Sequence, residues 1–186
     1  MGGVNQQERL SQNEQLKWFL AGFIEGEGSL TVNIKHHETS RFGFYADPEF
    51  FLYQHQSGKW LLELTMNLFR SGRIFPKPGN PNVLVYSISS RKTIAEKVVP
   101  YFEKYVYPYS CKRGTFELFK EILMMLERKE HSTAQGLISI VEKAYLMNSH
   151  SKGMPRSRTI DEVKNRILRD YTPDPTFDGE DIVQSS

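Results

Sequence analysis

Two carboxylates lie among three glycines in the segment LAGFIEGEG, residues 20–28. Glu25 and Glu27 are two residues apart and follow an apolar stretch. These two acids are the first candidates for chemistry in the chain. Glycines inside a helix need their own explanation, because each costs about 0.5–1 kcal/mol relative to alanine.

The segment before the acids has the spacing of an amphipathic helix that ends near residues 26–28. Gly22 and Gly26 are four residues apart on one face of this helix, with Ala21 beside them. Small residues allow another backbone to approach closely, and the chain has no second copy of the pattern. We therefore predict a twofold contact with the same helix of a second subunit, which brings the two copies of Glu27 together. The predicted dimer interface comprises Leu20, Ala21, Gly22, Ile24, Glu25 and Gly26.

Residues 29–35 alternate strictly between polar and apolar side chains, which predicts a half-buried strand. Its polar face consists of Ser29, Thr31, Asn33 and Lys35. A second strand is predicted over residues 42–46 and 50–55, interrupted at Asp47 and Pro48, because proline favours a bulge or an edge.

The remaining elements complete an αββαββ order followed by helices. We predict a helix at 59–69 and a hairpin of strands 72–77 and 83–89 around the turn 78–81. Further helices are predicted at 93–105, 115–129, 136–147 and 160–169. The fold class is α+β. The predicted division is an N-terminal tail (1–13), one domain (14–170) and an acidic C-terminal tail (171–186).

Composition is that of a globular protein, with 39% hydrophobic and 25% charged residues. The net charge is +2, but residues 171–186 contain four acids and no base, so the rest of the chain carries +6. Cys111 is the only cysteine, which excludes an internal disulfide and favours an intracellular location. No apolar run approaches the roughly 20 residues that span a bilayer, so we expect no membrane association. His36 and His37 lack partners at ligand spacing and indicate a surface turn.

The segment LAGFIEGEG resembles the motif of the LAGLIDADG homing endonucleases. Five positions are identical, and the acids of the motif correspond to Glu25 and Glu27; the identical residues are Leu20, Ala21, Gly22, Ile24 and Gly28. The αββαββ order resembles the core of that family, which implies a saddle-shaped antiparallel sheet with extra C-terminal helices. Residues 47–55 and 69–74 are similar to the single-motif, homodimeric branch encoded in introns of large-subunit rRNA genes.

The resemblance implies Mg²⁺-dependent phosphodiester hydrolysis, with Mn²⁺ or Ca²⁺ as other occupants of the metal site. Glu27 is then the catalytic metal ligand, helped by the Gly28 carbonyl. Gln54 occupies the place of a glutamine that positions solvent, and Lys112 or Arg113 that of a supporting base. Some relatives carry an arginine at the start of the second helix where this chain has Gly58 and Lys59, so His55 and Lys59 stay open as alternatives.

A two-stranded ribbon fits the major groove of DNA, where alternate side chains reach base edges and basic residues hold phosphates. The polar face of the first strand and a second face of the same parity, formed by Arg73, Phe75 and Lys77, are the predicted base-reading residues. The predicted backbone contacts are Arg41, Arg70, Arg113, Lys152, Arg156 and Arg158.

A homodimer of the family reads a long pseudopalindromic double-stranded site in an intron-less rRNA gene and leaves short 3′ overhangs. The compartment implied is a chloroplast, a mitochondrion or the bacterial cytoplasm. The alternative is a maturase or repressor that kept the fold and lost cleavage. The acid at position 27 favours the enzyme, because a carboxylate beside phosphates repels them in a protein that only binds.

Overall fold

The computed structural model describes residues 11–149 and 158–169. Helix α1 (Gln12–Glu27) begins at the N-cap Ser11, whose hydroxyl accepts the Glu14 N–H at 3.2 Å. It ends as predicted, where the Gly28 N–H donates to the carbonyl of Ile24. The chain then turns directly from helix into strand, so Glu27 lies at the junction of the two elements.

Four antiparallel strands form one sheet in the order β1-β2-β4-β3. The strands are β1 (Gly28–His36), β2 (Phe44–His55), β3 (Arg73–Lys77) and β4 (Asn80–Ile88). The register pairs Gly28 with Leu52, so the first residue of β1 lies three residues from the end of β2. The predicted α+β class, the αββαββ order and the antiparallel sheet are confirmed.

Strand β2 corrects the predicted interruption at Asp47 and Pro48, while the edge that the proline indicated is present. It is continuous from Phe44 to His55, and Pro48 pairs with Val32 of β1. Pairing with β4 begins only at Phe50, so at Pro48 the strand is an edge on its other side. A proline is tolerated there because that edge needs no backbone donor.

The second hairpin is tighter than predicted, because β4 begins at Asn80 and only Pro78 and Gly79 separate it from β3. Gly79 has φ of 77°, a left-handed conformation that glycine adopts without strain. A register shift between Pro76 and Lys77 precedes this turn.

Helix α2 (Lys59–Phe69) lies between the hairpins, and a helical run over residues 91–106, here α3, follows β4. Two wider π turns lie within α3, at Ile94–Val98 and Phe102–Val106. Pro100 has no N–H and its ring clashes with the carbonyl four residues earlier, which explains the widening of the first turn. Helices α4 (Arg113–Glu127), α5 (Ala134–Ser149) and α6 (Ile160–Arg169) complete the described chain.

The helices pack on one face of the sheet around a buried cluster that contains the aromatic residues Phe50, Tyr86, Phe102 and Phe119. A second cluster joins Phe42 and Phe44 to α5 and α6. None of the helices in residues 11–149 and 158–169 is long and apolar enough to cross a membrane. The division into tails and one domain stays a prediction, since residues 1–10 and 170–186 lie outside the described part.

Candidate active site

Glu27 is the last residue of α1 and its side chain is exposed. The turn that places it there requires glycine at the next position. A Cβ on Gly28 would lie 2.3 Å from the carbonyl oxygen of Ile24, closer than any real contact of that kind. This close approach therefore fixes the backbone of Glu27 at the end of the sheet where β1 begins.

Lys112 brings a positive charge to the same place. Its Nζ donates to the carbonyl oxygens of Glu25, at 2.6 Å, and Gly28, at 3.2 Å. Carbonyls at the C-terminal end of a helix carry partial negative charge, which a lysine ammonium stabilises. The predicted supporting basic residue thus binds the backbone on either side of Glu27, the predicted metal ligand.

The side chain of Glu25 contacts the loop that carries Lys112. Its Oε1 accepts the backbone N–H of Cys111 at 3.1 Å and lies 3.1 Å from the Cys111 sulfur. The hydrogen bond to Glu25, together with the charge of that carboxylate, raises the pKa of the Cys111 thiol. Glu25 was predicted in the dimer interface, but its carboxylate binds within its own chain.

Arg113 has a different place from its neighbour Lys112. Its guanidinium donates to the carbonyls of Tyr107, at 3.1 Å, and Pro108, at 2.6 Å, and lies 5.7 Å from the Tyr107 ring centroid. These contacts close the loop between α3 and α4. Of the two basic candidates, only Lys112 reaches the end of α1.

Gln54 lies two residues beyond Leu52, the partner of Gly28, and on the same side of β2. Its Oε1 accepts the His55 N–H at 2.8 Å. A Cβ on Gly58 would lie 2.6 Å from the Gln54 Cγ, so the glycine at this position leaves room for the glutamine side chain.

The two alternative basic residues, His55 and Lys59, each contact a side chain close by in the sequence. The His55 ring nitrogen Nδ1 lies 2.9 Å from the Ser57 hydroxyl, and the Lys59 ammonium lies 2.9 Å from the Glu63 carboxylate. Neither contact directs these side chains to the end of α1.

The second face of the sheet carries the predicted base-reading residues. The register aligns one row across all four strands: Ser29, Phe51, Ser87 and Arg73. Lys77 lies on the same face, since its Nζ is 5.4 Å from the Tyr53 ring centroid. The two predicted groups, on β1 and on β3, therefore share one face of one sheet.

Sequence reasoning missed the acids that β2 adds to this face. Thr31 pairs with Glu49 and Asn33 with Asp47. The Asn33 amide donates to Glu49, and the Lys35 ammonium binds Asp47. The hydrogen bond to Asp47 raises the pKa of Lys35, with a smaller contribution from the Glu49 charge. The alternation from Tyr45 to His55 was the available signal, but the predicted interruption at Pro48 hid it.

The predicted backbone contacts are dispersed. Arg41 donates to the Ser132 carbonyl at 3.1 Å, and Arg70 ends α2 in a left-handed conformation with φ of 47°. The guanidinium of Arg158 lies 6.0 Å from the Phe44 ring centroid. Lys152 and Arg156 lie outside the described residues.

The exposed face of α1 includes Gly22 and Gly26 of the predicted dimer interface, whereas three other predicted members are buried. Leu20, Ala21 and Ile24 are at most 4% exposed, because the apolar stripe of the helix packs into the chain's own core. A Cβ added at Gly22 or at Gly26 would have no atom within 4 Å other than those of the adjoining helix backbone, so both glycines border open space.

Two aromatic side chains border these glycines. Phe19 is 53% exposed and Trp60 is 52% exposed. Their rings stack at 6.4 Å between centroids with an interplanar angle of 9°. We name this surface the α1 face; it comprises Phe19, Gly22, Gly26 and Trp60.

No group of three or more His, Cys, Asp or Glu side chains within residues 11–149 and 158–169 could hold a metal ion. The exposed carboxylate of Glu27 fits a cation shared with groups from outside the chain, because Mg²⁺ accepts one carboxylate alongside phosphate oxygens and waters. The Gly28 carbonyl oxygen fits the role of a metal ligand less well, since it accepts a hydrogen bond from the Lys112 ammonium.

The chain belongs to the LAGLIDADG endonuclease family, whose model matches residues 20–123. It is 36% identical over 134 residues to the DNA endonuclease I-CeuI of Chlamydomonas moewusii, covering 71% of this chain and 62% of the relative. It is 30% identical over 162 residues to the homing endonuclease I-ApeII of Aeropyrum pernix, covering 86% of this chain and 95% of the relative. This chain thus spans less than two thirds of I-CeuI.

Solved structures agree with this family. I-CeuI complexed with DNA superimposes with a TM-score of 0.76 at 31% identity, over 86% of this chain and 79% of that chain. The archaeal intron-encoded homing endonuclease I-Vdi141I, also complexed with DNA, gives 0.79 at 29% identity over 86% and 98%. I-SmaMI bound to uncleaved DNA in the presence of calcium ions gives 0.67 at 26% identity over 82% and 49%.

Proposed function

We propose that this chain is a sequence-specific homing endonuclease that cleaves both strands of DNA as a homodimer. The observation that carries the proposal is the Lys112 ammonium bound to the carbonyls of Glu25 and Gly28, the residues on either side of the exposed Glu27 at the end of α1. A carboxylate and an ammonium beside a sheet face with exposed polar and basic side chains suit hydrolysis of a phosphodiester. I-ApeII is a homing endonuclease, and I-CeuI and I-Vdi141I are homing endonucleases complexed with DNA, which supports the proposal.

The proposed metal is Mg²⁺, with Mn²⁺ or Ca²⁺ as other occupants, and Glu27 would hold it. When bound, the ion would supply an activated water and neutralise charge on the phosphate. The calcium ions named for I-SmaMI bound to DNA support a divalent cation in this family.

The remaining roles fall to side chains near Glu27. The Lys112 ammonium, held by two carbonyls, can turn to a phosphate oxygen and stabilise the negative charge that develops during cleavage. Gln54 is a neutral donor and acceptor and is suited to orienting water. Its own amide contact is local, so solvent or DNA can replace it.

The homodimer follows from the number of sites. Each chain has one Glu27 at the end of α1, and a double-strand cut needs two hydrolytic centres. We propose that the α1 face forms the twofold contact, because its glycines are open and its aromatic rings are exposed. Leu20, Ala21 and Ile24 support this face from inside the chain.

For DNA we propose that β1 and β3 contact base edges and that Arg41, Arg70, Lys152, Arg156 and Arg158 contact phosphates. The target would be a long pseudopalindromic site in an intron-less rRNA gene, cut to leave short 3′ overhangs. The setting would be a chloroplast, a mitochondrion or the bacterial cytoplasm.

The test is a digest of plasmids that carry intron-insertion regions of large-subunit rRNA genes, with Mg²⁺ and with EDTA. We expect metal-dependent cutting at one site with 3′ overhangs. Specific binding without cutting, in Mg²⁺ and in Mn²⁺, would contradict the enzyme and favour the maturase or repressor.

A further inference from the structure

Two acids, Asp47 and Glu49, lie on the sheet face that we propose for DNA, in the part of β2 that pairs with β1 and has an unpaired edge on its other side. The outer strands β1 and β3 supply its cations, Lys35, Arg73 and Lys77. Strand β2 contributes no Lys or Arg to this face, and its side chains here are Tyr45, Asp47, Glu49, Phe51, Tyr53 and His55. Lys35 is therefore the cation beside the acids, while Arg73 and Lys77 lie along the other half of the face, where β3 and β4 extend the sheet.

Contacts across the two strands hold the acids in place. The side chains of Asp47 and Glu49 are 22% and 15% exposed. Lys35 binds Asp47 and lies 3.9 Å from the nearer Glu49 oxygen, while the Asn33 amide donates to Glu49. Both carboxylates thus have a defined position and a partner that can move to DNA when they find another donor.

Carboxylates on such a face can bind only the hydrogen-bond donors of the DNA. Phosphates repel them, and the major-groove edges of guanine and thymine offer acceptors. The donors in that groove are the amino groups of cytosine and adenine, and an acid is the usual partner of cytosine N4. Adenine also presents its N7 acceptor, which a carboxylate repels.

We propose that Asp47 and Glu49 determine specificity. In each half-site, each of the two carboxylates accepts a hydrogen bond from the N4 amino group of its own cytosine. This inference rests on the proposed function, because it assigns base contacts to the face that reads DNA. In the free protein Lys35 forms an ion pair with Asp47 and Asn33 donates a hydrogen bond to Glu49; both are released toward phosphate or a neighbouring base in the complex.

The spacing of the acids also predicts the spacing of the cytosines. Residues two apart on an antiparallel strand are about 6.8 Å apart. Two steps of DNA at about 3.4 Å each cover the same length. The two cytosines should therefore lie about two base pairs apart, with the one read by Asp47 farther from the cleavage centre, since Glu49 is closer to Leu52 and Gly28.

The experiment is a binding selection from a library with randomised half-sites, in Ca²⁺ so that cleavage does not bias it. Wild type, Glu49→Gln and Asp47→Asn are compared with Glu103→Gln, a matched acid that pairs with Lys120 away from the sheet. Wild type should select two cytosines about two base pairs apart in each half-site. In each acid variant the preference for cytosine at one position should fall about tenfold. The selected base there should shift toward adenine, the partner of Asn and Gln. Glu103→Gln should select as wild type.

A variant that retains both acids tests the alternative that Lys35 reads guanine at this place. Lys35→Gln should bind DNA more weakly and keep both cytosines. Unchanged selection by both acid variants, or a base change produced by Lys35→Gln alone, would overturn the inference. Wild-type cleavage in Mg²⁺ is measured separately: cleavage with unchanged selection overturns only this inference, and a shifted selection without cleavage overturns only the enzyme.

Discussion

The Lys112 ammonium donates to the Glu25 carbonyl across a distance of 2.6 Å, although 87 residues separate the two along the chain. This contact joins the loop before α4 to the end of α1, the helix that carries Glu27. Removing the ammonium should therefore affect cleavage and leave the fold intact.

Lys112→Met should lower the single-turnover cleavage rate about a hundredfold, because a donor aimed at developing charge is worth that much. DNA affinity should change little, since one phosphate contact at most is lost. Lys120→Met is the matched control, because Lys120 pairs with Glu103 away from the site. Equal rates for both variants would remove Lys112 from the mechanism.

Glu25 should act on cleavage through the loop that it holds. Glu25→Ala removes the acceptor of the Cys111 N–H, so Lys112 loses its position and the cleavage rate constant should fall about tenfold. Glu25→Gln keeps an acceptor oxygen and should retain most of the rate. Single-turnover rates over a range of enzyme concentrations separate this effect from binding. Similar losses in both variants would show that the charge matters, and not the hydrogen bond.

The Cys111 thiol reports on the same contact in the free protein. Because Glu25 raises the thiol pKa, less thiolate is present at a given pH than without the carboxylate. Glu25→Gln should lower that pKa, so the pH profile of iodoacetamide alkylation should move to lower pH. An unmoved profile would show that Glu25 and Cys111 do not meet in solution.

A substitution at Gly28 tests the turn that positions Glu27. Gly28→Ala places a Cβ 2.3 Å from a backbone oxygen and should cost about 1–3 kcal/mol of unfolding free energy. Gly114→Ala, at an open position inside α4, should be neutral or stabilising. Urea unfolding compares the two, and equal stabilities would contradict the close approach.

Gly22 tests the proposed dimer without disturbing the chain's own packing. Its open position accepts a side chain within one subunit, so Gly22→Leu should fold normally and separate the subunits by a clash across the twofold axis. Sedimentation velocity measures the state, and circular dichroism checks the fold. A Gly22→Leu protein that still sediments as a dimer would refute the α1 face as the interface.

Periodicity predicted the order of the elements and the end of α1, because both depend on local pattern and on glycines. The resemblance supplied Lys112, whose contact with α1 no spacing encodes. Chain topology alone brings the loop before α4 to that helix end.

Two features could not be predicted from the sequence, for physical reasons. Asp47 and Glu49 were hidden because Pro48 suggested an interruption, whereas the unpaired edge of β2 tolerates it. The position of Leu20, Ala21 and Ile24 in the chain's own core was not predicted, because Gly22 and Gly26 indicated a contact between subunits and the apolar residues beside them were assigned to the same contact. Which side faces the core depends on the sheet beneath it, and the structure gives that side to these three residues.

The most direct test of the account compares Glu27→Gln with wild type on a DNA site that wild type binds specifically, with cleavage and binding measured in parallel in Mg²⁺. The account predicts that wild type cuts both strands, and that Glu27→Gln binds equally well or more tightly and cuts at least about a hundredfold more slowly, because the cation contributes several kcal/mol. Equal cleavage by the two proteins would contradict the assignment of Glu27 and with it the proposed active site.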